Sequence, residues 1–130
     1  MNTSGDVRPA VSAILTAVGV DHVRLSYHYL DAGDVEGYGS LLDENIEVAQ
    51  PGSVHGNGRA EVLRSHGSPD RPPVIHRIHK IVADGDSVVA LGRLVRGPGA
   101  PAELDFVDHF TISPEGMLLS CRRYFHTDPR

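Results

Sequence analysis

A carboxylate interrupts the apolar face of one predicted strand. Residues 104–112 are rich in aromatic and β-branched side chains, which is typical of a β-strand. Successive side chains of a strand point to opposite faces, so Asp108 shares its face with Phe106 and Phe110. A carboxylate buried in such surroundings either has a cationic or hydrogen-bonding partner or holds a proton at neutral pH. Asp108 is therefore the first candidate for acid–base chemistry, and its alternative role is that of a structural ion-pair partner.

A second candidate charge lies in the last predicted strand, where Arg123 shares a face with Cys121 and Phe125. A buried arginine beside Asp108 would hold that carboxylate ionised and would favour a general base over a neutral hydrogen-bond donor. An arginine at a sheet-to-sheet dimer interface explains the same pattern equally well.

Three further residues could take part in proton transfer or substrate orientation. His76 lies in a predicted strand of which neither face is cleanly apolar, so it is either a pocket base or a partly exposed sheet histidine. Asp31 ends the first predicted helix and is either functional or a helix-end cap. Tyr27, one turn earlier, either orients a substrate carbonyl or belongs to the core with its hydroxyl at the rim.

Length and composition restrict the class of protein. A chain of 130 residues with 40% apolar content fits one domain, which we place at 9–130 after a flexible segment 1–8. A net charge of −5 without a dense Lys/Arg cluster argues against nucleic acid and against anionic membranes as partners. One cysteine, no apolar run of about 20 residues and no signal-peptide pattern at the start predict a cytoplasmic protein.

The order of predicted elements is helices first and strands afterwards, which predicts an α+β fold with helices on one face of an antiparallel sheet. A helix is predicted from residue 9 to 30, with Gly19 as a possible bend, and Gly33 and Asp34 as its C-cap and the next N-cap. The remaining predicted elements are a short helix from residue 35, a strand at 46–50, a loop at 51–58, a helix at 59–65, and strands at 74–83, 87–95, 104–112 and 117–126.

Metal and nucleotide sites are not predicted. His76 and His79 are three residues apart on a strand and point to opposite faces, and no compact His/Cys/Asp cluster has metal-ligand spacing. The sequence also lacks a Gly-rich phosphate loop and a serine nucleophile elbow. We therefore expect neither a metal nor a cofactor.

Three strings, taken in order and spacing, resemble the nuclear-transport-factor-2-like (NTF2-like) superfamily: YLDAGD at 29–34, DENIEV at 43–48 and VDHF at 107–110. Within it the chain resembles the SnoaL-like polyketide cyclases, the ketosteroid isomerases and the scytalone dehydratases, over about residues 10–126. The resemblance implies a cone-shaped α+β fold, with about three N-terminal helices packed on a curved antiparallel or mixed sheet around an apolar pocket. It also implies a homodimer formed through the outer face of the sheet.

Matching positions one by one separates the branches of this superfamily. Asp108 matches the aspartic acid of the ketosteroid isomerases that stays protonated at neutral pH and donates a hydrogen bond to the substrate oxyanion. The general-base position of that branch is Gln50, and an amide takes up no proton at neutral pH, so the resemblance argues against a ketosteroid isomerase. Asp31 and His76 match the helix-end aspartate and the pocket histidine of the dehydratase-type members.

The resemblance also assigns the lining of the pocket. It implies that Arg123 faces the pocket with its strand neighbours, and that an Asp108–Arg123 pair resembles the arrangement of limonene epoxide hydrolases. The residues expected to contact substrate are Gln50 and His55 at the mouth, together with Phe106, Phe110 and Phe125.

The function expected from these residues is cofactor-free acid–base catalysis on a hydrophobic, oxygenated small molecule, by cyclisation, isomerisation or dehydration. Asp108 would be the central acid/base with His76 as its partner, while Arg123 or Tyr27 stabilises a developing enolate and Asp31 assists. Three alternatives stay open: a non-catalytic carrier of a hydrophobic ligand, an epoxide hydrolase-like enzyme, and an interaction module whose cone is filled by its own side chains.

Overall fold

A computed structural model describes residues 4–50, 53–67, 74–96 and 103–126. In chain order the elements are α1 (Ser4–Ala32), α2 (Val35–Gly39), β1 (Leu42–Gln50), β2 (Ser53–Asn57), α3 (Arg59–His66), β3 (Val74–Asp84), β4 (Ser87–Arg96), β5 (Leu104–Ile112) and β6 (Leu118–Phe125). The strands form one sheet in the order β2-β1-β6-β5-β4-β3, in which β1 and β6 are parallel and the other neighbours are antiparallel. The predicted α+β class, with helices packed on a mixed sheet, is confirmed.

Helix α1 is longer than the sequence pattern indicated. It begins at Ser4, inside the segment 1–8 predicted to be flexible, because apolar periodicity locates the packed part of a helix and not its first turns. Gly19 does not split the helix. A Cβ at this position would lie 2.8 Å from Cγ1 of Ile112, so the glycine lets the helix pack closely on the sheet.

The end of α1 follows the predicted capping pattern. Gly33 has a φ of 72°, which a glycine adopts without steric cost. The Asp34 side chain then caps α2 by accepting a hydrogen bond of 2.8 Å from the backbone N–H of Gly37. These two residues turn the chain so that α2 follows α1 directly and contacts both α1 and α3.

Strand β2 lies within the segment 51–58 that we predicted to be a loop. It pairs antiparallel with β1, which itself begins at Leu42 and not at Ile46. The sequence of β2, Ser53–Asn57, has few residues with strand propensity, so its conformation depends on its pairing with β1 rather than on local preference.

The core lies between the helices and the inner face of the sheet. Burial alternates along β5, and the inward residues Phe106, Asp108, Phe110 and Ile112 are all buried. Helix α1 packs on β3, β4 and β6, whereas α3 packs on β1 and β2 toward the opposite edge of the sheet. Among the described helices, none combines the length and hydropathy needed to cross a membrane.

Candidate active site

A cavity of about 480 Å³ opens between the three helices and the inner face of the sheet. Of the residues predicted to form the site, the cavity lining includes Tyr27, Gln50, His76, Asp108, Phe110, Arg123 and Phe125. Asp31 lies outside the lining and contacts it through His76. His55 belongs to β2, and its side chain is outside the described part of the structure.

Asp108 lies at the centre of a buried hydrogen-bond network. Its side chain is 1% exposed, and it accepts hydrogen bonds from Nε and Nη2 of Arg123 at 2.7 and 2.8 Å. The Tyr27 hydroxyl donates to the same carboxylate at 2.6 Å. Asp108 and Arg123 are direct neighbours across β5 and β6, so the sheet register itself produces the two-pronged ion pair.

The network sets the ionisation of its members. Burial and the negative charge of Asp108 raise the pKa of Tyr27 well above its usual value, so its hydroxyl stays protonated. For Arg123, burial alone would lower the pKa, but the hydrogen bonds and charge of Asp108 outweigh burial and raise it. Tyr27 therefore donates to Asp108 as a protonated hydroxyl, and Arg123 keeps its positive charge beside it.

His76 forms a second carboxylate pair. Its Nδ1 lies 2.7 Å from Oδ1 of Asp31, and its backbone N–H lies 3.1 Å from both oxygens of the same carboxylate. Burial lowers the pKa of His76 below 6.5, and the positive charge of Arg123 adds to this, while the hydrogen bond to Asp31 opposes it. The ring is therefore neutral at pH 7, with the proton on Nδ1 and the lone pair on Nε2.

The partner of His76 differs from the expected one. We predicted a pair of His76 and Asp108, but His76 pairs with Asp31 at the end of α1. The reason is topological, because β4 separates His76 on β3 from Asp108 on β5, whereas α1 packs on β3.

One aromatic ring lies behind the polar groups. Phe106, which we expected to contact substrate, is 2% exposed and does not belong to the cavity lining. The Cζ of Arg123 lies 4.4 Å from the centre of the Phe106 ring, and the His76 ring makes an edge-on contact with Phe106 at a centroid distance of 5.8 Å. The Tyr27 ring is 5.1 Å from the His76 ring.

The sequence reasoning did not find the side of the cavity formed by α2 and α3. Tyr38 and His66 both line the cavity there, with ring centroids 4.9 Å apart. Tyr38 was visible only as part of the apolar face of a short helix, and no pattern singled out His66. Cys121 also lines the cavity, and burial raises the pKa of its thiol, so it is no ready nucleophile.

The chemistry that these groups can perform is proton transfer beside a fixed cation. In residues 4–50, 53–67, 74–96 and 103–126, no group of three or more His, Cys, Asp and Glu side chains could hold a metal ion. What the cavity does contain is a neutral imidazole and a guanidinium that still has N–H groups beyond the two bound to Asp108.

Comparison with known structures reveals similar folds. A candidate ketosteroid isomerase from Kribbella flavida matches with a TM-score of 0.77 and 19% identity, covering 88% of this chain and 82% of that one. SalBIII, an epoxide hydrolase/cyclase-like enzyme of pyran ring formation in the polyether salinomycin, matches with a TM-score of 0.71 and 24% identity, covering 84% and 91%. TerC, crystallised with polyporic acid, matches with a TM-score of 0.72 and 22% identity, covering 84% and 92%.

Family assignment follows from sequence as well as from fold. No curated protein sequence matches the chain significantly. The family model of the SnoaL-like domain, however, matches residues 23–120, from the second half of α1 into β6, and this segment contains Tyr27, Asp31, His76 and Asp108. The chain thus belongs to the SnoaL-like domain family, and its fold is similar to that of an NTF2-like protein from Cytophaga hutchinsonii.

Proposed function

We propose that this protein is an acid–base enzyme that removes a proton next to a carbonyl group of a hydrophobic, oxygenated small molecule, using only its own side chains. Proton removal of this kind is the shared step of aldol-type cyclisation, enol isomerisation and dehydration. The observation that carries the proposal is the presence of a neutral base, His76, and a buried cation, Arg123, on the wall of one cavity.

His76 is the proposed base. A general base must be unprotonated at working pH, and the lowered pKa of His76 meets this condition. The hydrogen bond from Nδ1 to Asp31 orients the ring and assigns the lone pair to Nε2. Asp31 also stabilises the imidazolium that forms when the proton is taken up.

Arg123 is the proposed electrophile. Proton removal next to a carbonyl places negative charge on the oxygen, and a preoriented cationic donor in a dry site stabilises that charge. Two N–H groups of Arg123 hold Asp108, which fixes the guanidinium while its other N–H groups remain for an enolate oxygen.

In this proposal Asp108 orients Arg123 and does not itself transfer the proton. Three hydrogen-bond donors engage the carboxylate and its side chain is 1% exposed, so it has little access to a substrate proton. This assigns the base to His76, where the sequence alone favoured Asp108.

Opening of an epoxide by water is the second candidate reaction. The pairing of Asp108 with Arg123 favours it, since the cation could stabilise the alkoxide while His76 activates water. The similar fold of SalBIII, described as an epoxide hydrolase/cyclase-like enzyme, points in the same direction. Incorporation of ¹⁸O from labelled water into a diol product would identify this reaction, and its absence with turnover would exclude it.

The outer face of the sheet supports a homodimer. Ile75, Val82, Leu91 and Tyr124 are exposed there, with Tyr124 at 50%. Apolar residues grouped on one face often mark an interface between proteins. Sedimentation equilibrium tests this part of the proposal, and a monomer at micromolar concentration would contradict it.

The test of the main proposal uses 2-tetralone, a bicyclic ketone with acidic protons next to its carbonyl. The purified protein is incubated with it in D₂O, and loss of these protons is followed by NMR against buffer. We expect exchange that rises with pH through a midpoint below 6.5 and then levels off. His76→Ala should lower the rate by about 10²–10⁴-fold.

His28→Ala is the matched control, because His28 is exposed on α1 next to Tyr27 and lies outside the cavity lining. It should exchange like the parent protein. Equal rates in the parent protein and His76→Ala would refute His76 as the base. Binding of 2-tetralone without exchange would favour the carrier alternative.

A further inference from the structure

We propose that Phe106 is a positioning residue, which locates the base His76 and the electrophile Arg123 relative to each other through the two kinds of contact that one aromatic ring can make. The roles of His76 as base and Arg123 as electrophile rest on the proposed function, whereas the contacts of Phe106 with both side chains are independent of it.

Phe106 contacts both groups directly although it does not reach the cavity. The Cζ of Arg123 lies over the face of the ring at 4.4 Å, and the His76 ring is perpendicular to it, with an angle of 88° between planes. The negative face of an aromatic ring attracts a guanidinium, and perpendicular pairs of aromatic rings are favourable. One buried ring therefore contacts both His76 and Arg123, which in the proposed reaction act on the proton next to the carbonyl and on the carbonyl oxygen of the same substrate.

The absence of a side chain at Gly92 makes this arrangement possible. Phe106 lies on β5 and His76 on β3, with β4 between them. Gly92 is the direct neighbour of Phe106 on β4, and a Cβ there would lie 2.5 Å from the carbonyl oxygen of Arg77 on β3 and 3.0 Å from Cζ of the ring. The ring thus extends across the glycine toward β3, where a larger residue on β4 would hold it back.

Hydrogen bonding alone would leave Arg123 less well fixed. The two bonds to Asp108 hold one edge of the guanidinium, but an arginine side chain has several rotatable bonds and its exposed fraction here is 17%. The face of Phe106 restrains the guanidinium from a second direction. Loss of this restraint should loosen Arg123 without breaking the ion pair.

The experiment changes the charge distribution of the ring while keeping its shape. Phe106 is replaced by 3,5-difluorophenylalanine through stop-codon suppression, because fluorine withdraws electron density from the ring face and weakens its attraction for a cation. The para position stays unsubstituted because Cζ lies against Gly92. Phe106→Leu is the second variant and removes the ring altogether.

The first measurement does not depend on activity. Exchange of the Arg123 Nε–H with water is followed by ¹⁵N-resolved NMR, and we expect it to be about 3- to 10-fold faster in the difluoro variant. The Nε–H of Arg93, which donates to Asp105 at 2.8 Å on the exposed face, is the internal reference and should not change. Unchanged Arg123 exchange in both variants, with the fold retained, would overturn the proposal.

The second measurement separates positioning from general stability. In the 2-tetralone assay the difluoro variant should show a lower kcat at an unchanged KM, since the restraint acts on the developing enolate and not on the bulk of the ligand. Faster Arg123 exchange with an unchanged kcat would overturn the link to catalysis. If the parent protein shows no turnover, the proposed function fails, and the NMR result still decides whether Phe106 restrains Arg123.

Discussion

The buried pair of Asp108 and Arg123 should show strong energetic coupling in a double-mutant cycle. The cycle consists of Asp108→Leu, Arg123→Met and the double variant, each of which replaces a polar side chain by an apolar one of comparable size. Because Asp108 is 1% exposed and Arg123 17%, removing either partner leaves a charge with little access to water. A buried charge left without its partner costs about 3–5 kcal/mol.

The two single variants differ in what they leave behind. Asp108→Leu leaves Arg123 and the Tyr27 hydroxyl without their acceptor, but Arg123 retains some contact with water, so we expect a loss of about 3–4 kcal/mol. Arg123→Met leaves a more deeply buried carboxylate with Tyr27 as its donor, and we expect a loss of about 4–5 kcal/mol.

The double variant should lose far less than the sum of the single losses. With both charges replaced, the remaining cost is the unpaired Tyr27 hydroxyl, about 1–3 kcal/mol. The coupling energy is then at least about 4 kcal/mol, measured as shifts of the urea unfolding midpoint at pH 7.5 with an unchanged m-value. Coupling below about 0.5 kcal/mol would refute the description of this network as a buried ion pair.

A matched surface pair provides the control for this cycle. Arg93 and Asp105 are also cross-strand neighbours, on β4 and β5, and Nε of Arg93 donates to Asp105 at 2.8 Å. Their side chains are 44% and 47% exposed, so water screens the charges. The same substitutions in this pair should give a much smaller coupling energy. Because both pairs join neighbouring strands, the difference in coupling energy would then be due to burial.

Two further predictions concern stability. The pKa of His76 is lowered on folding, so below about pH 6.5 the unfolded chain binds a proton at this residue more readily than the folded protein does. The free energy of unfolding should therefore fall below that pH, in total by about 1.4 kcal/mol for each unit by which the pKa is lowered. Urea midpoints at pH 7.5 and 5.5 measure this, and an equal pH dependence in His76→Gln would contradict it. Gly19→Ala should destabilise the protein by about 1 kcal/mol, because the contact with Ile112 at 2.8 Å outweighs the gain in helix propensity, and a higher thermal midpoint would contradict this.

The sequence predicted which side chains face inward better than it predicted what they contact. Alternation along β5 placed Asp108 on the buried face, since parity in a strand depends only on residue count. The pairing of Asp31 with His76 joins residues 45 positions apart, and it depends on where α1 crosses β3. No local pattern contains that crossing, so the sequence led to Asp108 and not Asp31 as the partner of His76.

The same limit explains why the sequence misplaced Phe106. Inward parity was correct, and the ring is buried. Whether an inward ring lines a cavity or lies beneath it depends on the neighbouring strand, and here Gly92 leaves room for the end of the Phe106 ring on β4. A glycine within a strand indicates that another group approaches the backbone closely, so Gly92 is the one sign of this packing that the sequence contains.

The choice of arginine at the site depends on one irregularity in the sheet. Thr111 pairs with Ser120 but Ile112 pairs with Leu118, so Leu119 is an extra residue in β6. If the register at Ile112 continued without this bulge, Asp108 would face Arg122, and Arg123 would point to the outer face. Because the bulge shifts the register by one, Asp108 pairs with Arg123, and Arg122 is exposed. The bulge therefore decides which of two consecutive arginines pairs with Asp108, and its position between Thr111 and Ile112 is set by strand pairing and not by any periodicity in the sequence.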